Sequence, residues 1–203
     1  MKPSMSIRKK QKAETRNIIL NCARDLFSNK GFEVSMRTIA KEANVSVGTL
    51  FVHFKDKNDL LAHVLHEGLA AAGKRGLSNL SSTKSVLDNL IDVTKPVYSY
   101  YFENPRLSQV LLKESIFISE EEEDENQLIR DQLYWFLGEI MKIIQPRFKN
   151  DPILNIENFM STFLSLYFIN LLKHLKKDSP NLNEAMDDLM KPLRGLVVGY
   201  GLE

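Results

Sequence analysis

The stretch from Ser35 to Lys57, SMRTIAKEANVSVGTLFVHFKDK, constrains this chain more than any other. It reads as two short helices joined by a tight turn, then the capped start of a longer helix. That is a helix-turn-helix, a device that sets one helix into the major groove of DNA. Ser35 suits the N-cap of the first short helix, because its hydroxyl can accept an orphan backbone N–H. Ile39, Ala40 and Ala43 share one helical face, and Ala40 is small enough for a second helix to cross close by. Asn44 stands where the chain must turn sharply, and Asn tolerates the left-handed conformation. Val45 fills the gap between the helices, and Ser46 caps the second one. Leu50 and Phe54 then point to the core, which leaves Ser46, Val47, Thr49, Phe51 and His53 facing outward. Val and Phe on an outward face suit base edges, thymine methyls and sugars. Asp56 caps the following helix, with Asp59 at the third position in a capping-box spacing. Lys57 lies in that first turn, beside N–H groups that favour an anion such as phosphate.

The run TIAKEANVSVGTLFVHFKDKNDLL resembles the DNA-binding signature of TetR-family transcriptional regulators. The preceding ETRNIILNCARDLFSNKGF is similar to that family's first helix and the Gly that ends it. The resemblance covers roughly Ala13 to Leu65. Two positions depart from it: many members carry Gly at the place of Asn44 and Tyr at the place of Phe51. The second change removes a hydroxyl that in the family often touches a phosphate. The resemblance implies a dimer built on the last two helices. It also implies an effector pocket enclosed by the fourth to eighth helices.

Strand signals are nearly absent and helical stripes recur throughout, so the expected fold is all-α with about nine helices. A three-helix N-terminal DNA-binding domain over 1–56 precedes a larger helical effector-binding and dimerisation domain over 57–203. The expected helices begin with 8–28, with Ile18, Ile19, Cys22, Ala23, Leu26 and Phe27 inward and Gly31 as the stop. After the two reader helices come one from Lys57 to about Gly73, then a stretch loosened by Gly73, Gly76 and Ser78, and one over about 83–103 that Pro96 can kink. Asn104-Pro105 starts another, which ends near 118–119. The acidic run 120–125 reads as the solvated first turns of the next helix rather than a metal site. That helix carries Leu133, Leu137, Ile140 and Ile144. The helix over 153–176 is apolar almost all round, so it must be buried on more than one side. The last, over 182–200, carries a stripe of Met186, Leu189, Met190, Leu193, Leu196 and Val197, with Pro192 expected to bend or divide it.

Charge follows the same division. Residues 1–67 hold 12 Lys and Arg against 7 Asp and Glu, an excess of +5; the remaining 15 against 19 leave −4. A basic third on an acidic body suits a nucleic-acid reader with a separate second function. Cys22 is the one cysteine, which excludes an internal disulfide and a CxxC zinc site. The basic N-terminus lacks the apolar stretch of a signal peptide. The longest apolar run, 163–172, is interrupted by Ser165 and Asn170 and falls short of the ~20 residues of a membrane span. A cytoplasmic protein without membrane association is expected.

No catalytic motif is present: no GxSxG, P-loop, HExxH or dinucleotide fingerprint. His63 and His66 lie one turn apart but lack a third metal ligand. No enzyme activity, cofactor or metal is therefore expected. The expected partners are a palindromic DNA duplex, a second copy of the chain and a small lipophilic effector, with repression relieved by the effector. Arg37, Ser46, Val47, Thr49 and Phe51 are expected to read bases. Thr38, His53, Lys57 and the basic arm (Arg8, Lys9, Lys10, Lys12) are expected to hold phosphates. The effector-pocket residues expected from the aromatic-rich body are Leu65, Tyr98, Tyr101, Phe102, Phe117, Tyr134, Met141, Phe163 and Tyr167. Glu114 is either a partner for a cationic ligand or a surface carboxylate. The expected dimer contacts are Phe159, Phe163, Leu189, Leu193 and Leu196. Two other readings stand beside this one: a constitutive architectural DNA-binding dimer with a solid core, and an enzyme reusing the fold.

Overall fold

A computed structural model describes residues 7–116, 127–148 and 154–202. Among these residues the chain is all helix and turn, with no strand. Nine α-helices follow in order: α1 Ile7–Lys30, α2 Met36–Glu42, α3 Val47–His53, α4 Lys57–Leu77, α5 Val86–Glu103, α6 Pro105–Ile116, α7 Gln127–Ile144, α8 Ile156–Leu175 and α9 Leu182–Gly199. A 3-10 turn, Gln145–Arg147, follows α7.

Side-chain caps set most of these starts. Ser35, Ser46, Ser85, Asn155 and Asn181 each accept the backbone N–H three residues on, which satisfies one of the donors a helix start leaves orphaned. Gly31 ends α1 at φ 75°, with its N–H on the Phe27 carbonyl, a left-handed stop that glycine adopts without a Cβ penalty.

The described chain forms two compact units. One comprises Met1–Glu67 and Val110–Ile118, the other Gly68–Gln109 and Ser119–Glu203. In the first unit α1 packs on α2 and α2 on α3. Its core is Ile19, Leu20, Ala23 and Phe27 of α1, Ile39 and Ala40 of α2, Leu50, Phe54, and Leu60, Leu61 and Val64 of α4. Ile18 was expected inward but is half exposed, while Leu20 is buried. At 100° per residue Ile19, Leu20, Ala23 and Phe27 share one face, and Ile18 falls on the other side. Cys22 is half-buried on the edge of that face. Its thiol pKa is raised by burial and by the charges of Asp25 and Glu42.

In the second unit α9 packs on both α8 and α5. The buried residues include Val86, Leu90, Val93 and Tyr98 of α5, Phe159, Phe163, Tyr167 and Leu171 of α8, and Ala185, Leu189, Leu193 and Val197 of α9. Two buried polar side chains bridge elements of this seam. Tyr98 Oη donates to the Tyr167 carbonyl at 2.5 Å and Asn170 Nδ2 to the Ala185 carbonyl at 2.9 Å.

Two expectations about helix continuity are corrected. Gly73 and Gly76 do not loosen the fourth helix; α4 runs on to Leu77. A Cβ on Gly76 would lie 2.7 Å from the Val93 carbonyl oxygen, so this glycine permits a close crossing of α4 and α5. Pro192 does not divide α9, which is one element through Gly199. Proline removes a single N–H donor, and the packing of Leu189, Leu193 and Val197 holds the helix across that gap. The fifth helix starts at Val86, where Ser85 is its cap. The break expected near 118–119 and the acidic run 120–125 lie outside the described residues.

Candidate nucleic-acid interface

The reader begins with the turn between α2 and α3. Asn44 takes φ 53°, the left-handed region, and Val45 N donates to the Ala40 carbonyl at 2.9 Å. Two short capped helices flank it. Ser35 Oγ accepts from Thr38 N at 3.1 Å, and Ser46 Oγ accepts from Thr49 N at 2.9 Å. The hydroxyls of Thr38 and Thr49 are themselves within 2.9 and 2.8 Å of those cap oxygens. Each cap and its threonine thus present two adjoining hydroxyls at a helix N-terminus.

Only Leu50 of α3 is buried. Ser46, Val47, Phe51 and Val52 stand exposed, with Phe51 49% and Val52 69% accessible, while Thr49 and His53 are half-buried. A seven-residue helix with three exposed large apolar side chains gains nothing from water contact there. Val52 is the most exposed of them, and the sequence reading passed over it. Arg37 is exposed on α2 and Thr38 half-buried beside its cap.

Beside α3 the basic start of α1 makes an open recess of about 400 Å³, lined by Lys9, Lys12, Ala13, Arg16, Val52 and His53. Arg16 is fixed there: its guanidinium donates to the His53 carbonyl at 2.9 Å and lies 4.3 Å from the Phe54 ring centroid. Burial, then Lys12 and Arg16, hold the His53 imidazole pKa below its ordinary value. The side chain of Arg8 lies outside the described residues.

Lys57 opens α4. Its Nζ donates to the Phe32 carbonyl at 2.8 Å and sits 4.1 Å from the Phe32 ring centroid. The lysine is therefore tied to the turn that ends α1 while its helix start remains half-buried at the surface. Asp56 accepts from Asp59 N at 2.9 Å, and Asp59 Oδ2 accepts from Lys55 N at 2.8 Å. The reciprocal cap is present, with its back-bond one residue earlier than a strict capping box.

The expected effector residues divide between the two units. Leu65 is buried in the first. In the second, Tyr98, Tyr101, Phe163 and Tyr167 are buried and Phe102 and Met141 half-buried. Burial raises the pKa values of the Tyr98, Tyr101 and Tyr167 hydroxyls, so all three remain neutral donors. Tyr134 is corrected: it is 64% exposed. The buried stripe of α7 is Leu137, Ile140 and Ile144, and Tyr134 stands a turn before it. Phe117 and the side chain of Glu114 lie outside the described residues.

The expected dimer contacts are corrected as well. Phe159, Phe163, Leu189 and Leu193 are buried within the single chain, so they form its own core and offer no face to a partner. Leu196 is half-buried. The apolar residues that α8 and α9 leave exposed are Ile169 and Val198. Among the described residues there is no group of three or more metal-binding side chains and no helix long and apolar enough to cross a membrane.

Comparison with known proteins agrees with this geometry. Residues 19–64 match the model of the bacterial regulatory proteins of the tetR family. The chain is 32% identical over 107 residues to the probable HTH-type transcriptional regulator YttP of Bacillus subtilis, covering 51% of each protein. It is 44% identical over 62 residues to the HTH-type transcriptional regulator SAUSA300_2515 of Staphylococcus aureus, covering 30% of this chain and 34% of that protein. The matched segments thus span about half or less of these relatives' lengths. Among solved structures, a tetR-family transcriptional regulator from Streptomyces coelicolor superposes with TM-score 0.69 at 19% identity, over 93% of this chain and 82% of that one. The TetR-family repressor FadR of Thermus thermophilus, solved in complex with lauroyl-CoA, gives 0.70 at 22% identity, over 91% and 94%. At such identities the likeness establishes the fold over nearly the whole chain, and the sequence matches establish the origin of the helix-turn-helix. The helix-turn-helix segment thus matches the tetR family of bacterial regulatory proteins, and the helical body behind it shares the fold of solved TetR-family regulators.

Proposed function

We propose that this protein is a homodimeric repressor that reads a palindromic operator and is released from it by a small lipophilic effector. Residues 1–56 act as the reader, and residues 57–203 carry the effector site and the dimer contact. The observation that carries the reading is α3: a capped seven-residue helix whose Val47, Phe51 and Val52 stand exposed beside a recess lined by Lys9, Lys12 and Arg16. Apolar groups on that face suit thymine methyls and sugars, and the flanking cations suit the backbone. One such module reads a short site, and pairing two of them about a dyad supplies the rest.

The aromatic interior of the second unit supports an effector site, with Tyr101 and Tyr167 as polar handles in an apolar surround. FadR of Thermus thermophilus, which shares the fold, was solved with lauroyl-CoA, and this favours an amphipathic ligand with a long apolar part. α4 begins in the reader and ends in the other unit, so a displacement of it would reach α3. Half-sites lie one DNA turn apart, ~34–36 Å, and a small change in the spacing of two recognition helices prevents both from docking. A location in the cytoplasm, with the DNA, follows from this reading.

Selection from random duplexes tests it. A palindromic consensus should emerge, with affinity falling steeply as salt rises. Val47→Ala should change the selected sequence, whereas Lys57→Ala should weaken all duplexes alike. Enrichment of no palindrome would overturn the proposal.

A further inference from the structure

The recess between α1 and α3 is a cation-lined hollow with a titratable ring in its wall. Its lining is Lys9, Lys12, Ala13, Arg16, Val52 and His53, with no carboxylate among them. Arg16 fixes the His53 backbone through its carbonyl, at 2.9 Å, and covers the Phe54 ring that follows. The imidazole therefore sits on an anchored stretch of chain. α4 contributes His63, edge-on to the Phe54 ring at 5.6 Å, with Asp59 bound to it. The charged groups facing His53 from α1 are all positive, and the carboxylate of Asp59 is already committed to His63 and to Lys55 N.

Building on the DNA-reading function, we propose that this recess seats one backbone phosphate of the duplex against His53, and that His53 takes up a proton as the phosphate enters. Operator binding then strengthens as pH falls through the neutral range. In the free protein, burial and the two nearby cations disfavour the imidazolium. A phosphate reverses the local field: its negative charge favours imidazolium, and the doubly protonated ring donates a charge-assisted hydrogen bond. Above the His53 pKa of the complex no proton is taken up and affinity is indifferent to pH. Between the pKa values of the complex and of the free protein, each fall in pH favours the complex. Below the free value the gain is complete. One proton bounds the slope at about tenfold in affinity per pH unit.

The test uses the full chain and a duplex recovered by selection, with affinity measured from about pH 5.5 to about pH 8 at constant ionic strength, where histidine is the side chain that ordinarily titrates. Binding should tighten severalfold toward the acid end, and calorimetry in two buffers of different ionisation heat should show net proton uptake. His53→Gln should abolish both effects while leaving thermal unfolding unchanged. Lys12→Ala should weaken binding at every pH and move the transition to higher pH, because a cation that disfavours the charged ring is gone. A flat profile in the unaltered protein, no proton uptake, or a slope that survives His53→Gln would overturn the proposal while leaving DNA reading intact. Failure to bind any duplex at any pH would instead overturn the DNA-reading function on which it rests.

Discussion

Asp59 shows how much one side chain can hold in this reader. Its Oδ2 accepts the Lys55 N–H, its own N–H caps onto Asp56, and its Oδ1 lies 3.0 Å from His63 Nδ1. Burial pushes its carboxyl pKa up, but the hydrogen bonds from His63 and Lys55 outweigh that, and the net position is below the ordinary 3.8. The same hydrogen bond raises the His63 pKa above its ordinary 6.5, against the opposing effect of burial. The stability from Asp59 is complete above pH 3.8 and is lost as pH falls through its depressed folded value. The stability from His63 is complete below pH 6.5 and is lost as pH rises through its raised folded value. The pair therefore contributes fully between those limits, by at most about 1 kcal/mol for partly exposed charges. Unfolding by denaturant should show stability declining from pH 6.5 toward alkaline pH. His63→Gln should remove that decline. A variant whose profile matched the unaltered protein would show that the pair carries no linkage.

At the level of elements, the sequence made the starts and stops legible and the faces less so. Ser35, Ser46 and Asp56 announce helices because a cap is a local interaction within four residues, and Asn44 announces the turn for the same reason. Glycine and proline misled where distant packing decided the outcome. Gly76 reads as a loosening residue from its neighbours alone, yet it lies against the Val93 backbone, seventeen positions away in sequence. Pro192 reads as a break, yet Leu189, Leu193 and Val197 hold α9 across it. The dimer expectation erred in a similar way. An apolar stripe reveals that a face is buried but not by which chain, and Leu189 and Leu193 prove to be covered by their own protomer. The proposed interface thus moves to the outer side of α8 and α9, where Ile169 is 69% exposed beside exposed Thr162 and Ser165. Ile169→Glu should convert the dimer to a helical monomer, because a charge placed in an apolar contact has no partner there. Leu193→Glu should instead unfold the second unit. Sedimentation together with circular dichroism separates the two outcomes, and an intact Ile169→Glu dimer at micromolar concentration would place the interface elsewhere.

At the scale of the whole molecule, a basic reader is joined to an acidic body, and α4 has its first half in one unit and its second in the other. If the aromatic interior of the second unit is an effector site, the two binding events share one coupling free energy. A ligand that weakens operator binding ~100-fold must itself be weakened ~100-fold by the operator, ~2.7 kcal/mol. Both halves of that reciprocity are measurable: operator affinity at saturating ligand, and ligand affinity at saturating operator. Tyr101 is the position to perturb, since it is buried at 8% exposure in the second unit, away from every reader residue in sequence. Tyr101→Trp should fill space that a ligand would occupy. It should abolish the ligand response while leaving operator affinity and proton uptake at His53 unchanged. Tyr134→Trp serves as the contrast: at 64% exposure its side chain fills no interior space, and the response should persist. A panel of amphipathic molecules that never shifts operator affinity would overturn the sensor role. An otherwise unchanged palindrome-binding dimer would then be an architectural DNA binder whose aromatic residues serve only to pack its core.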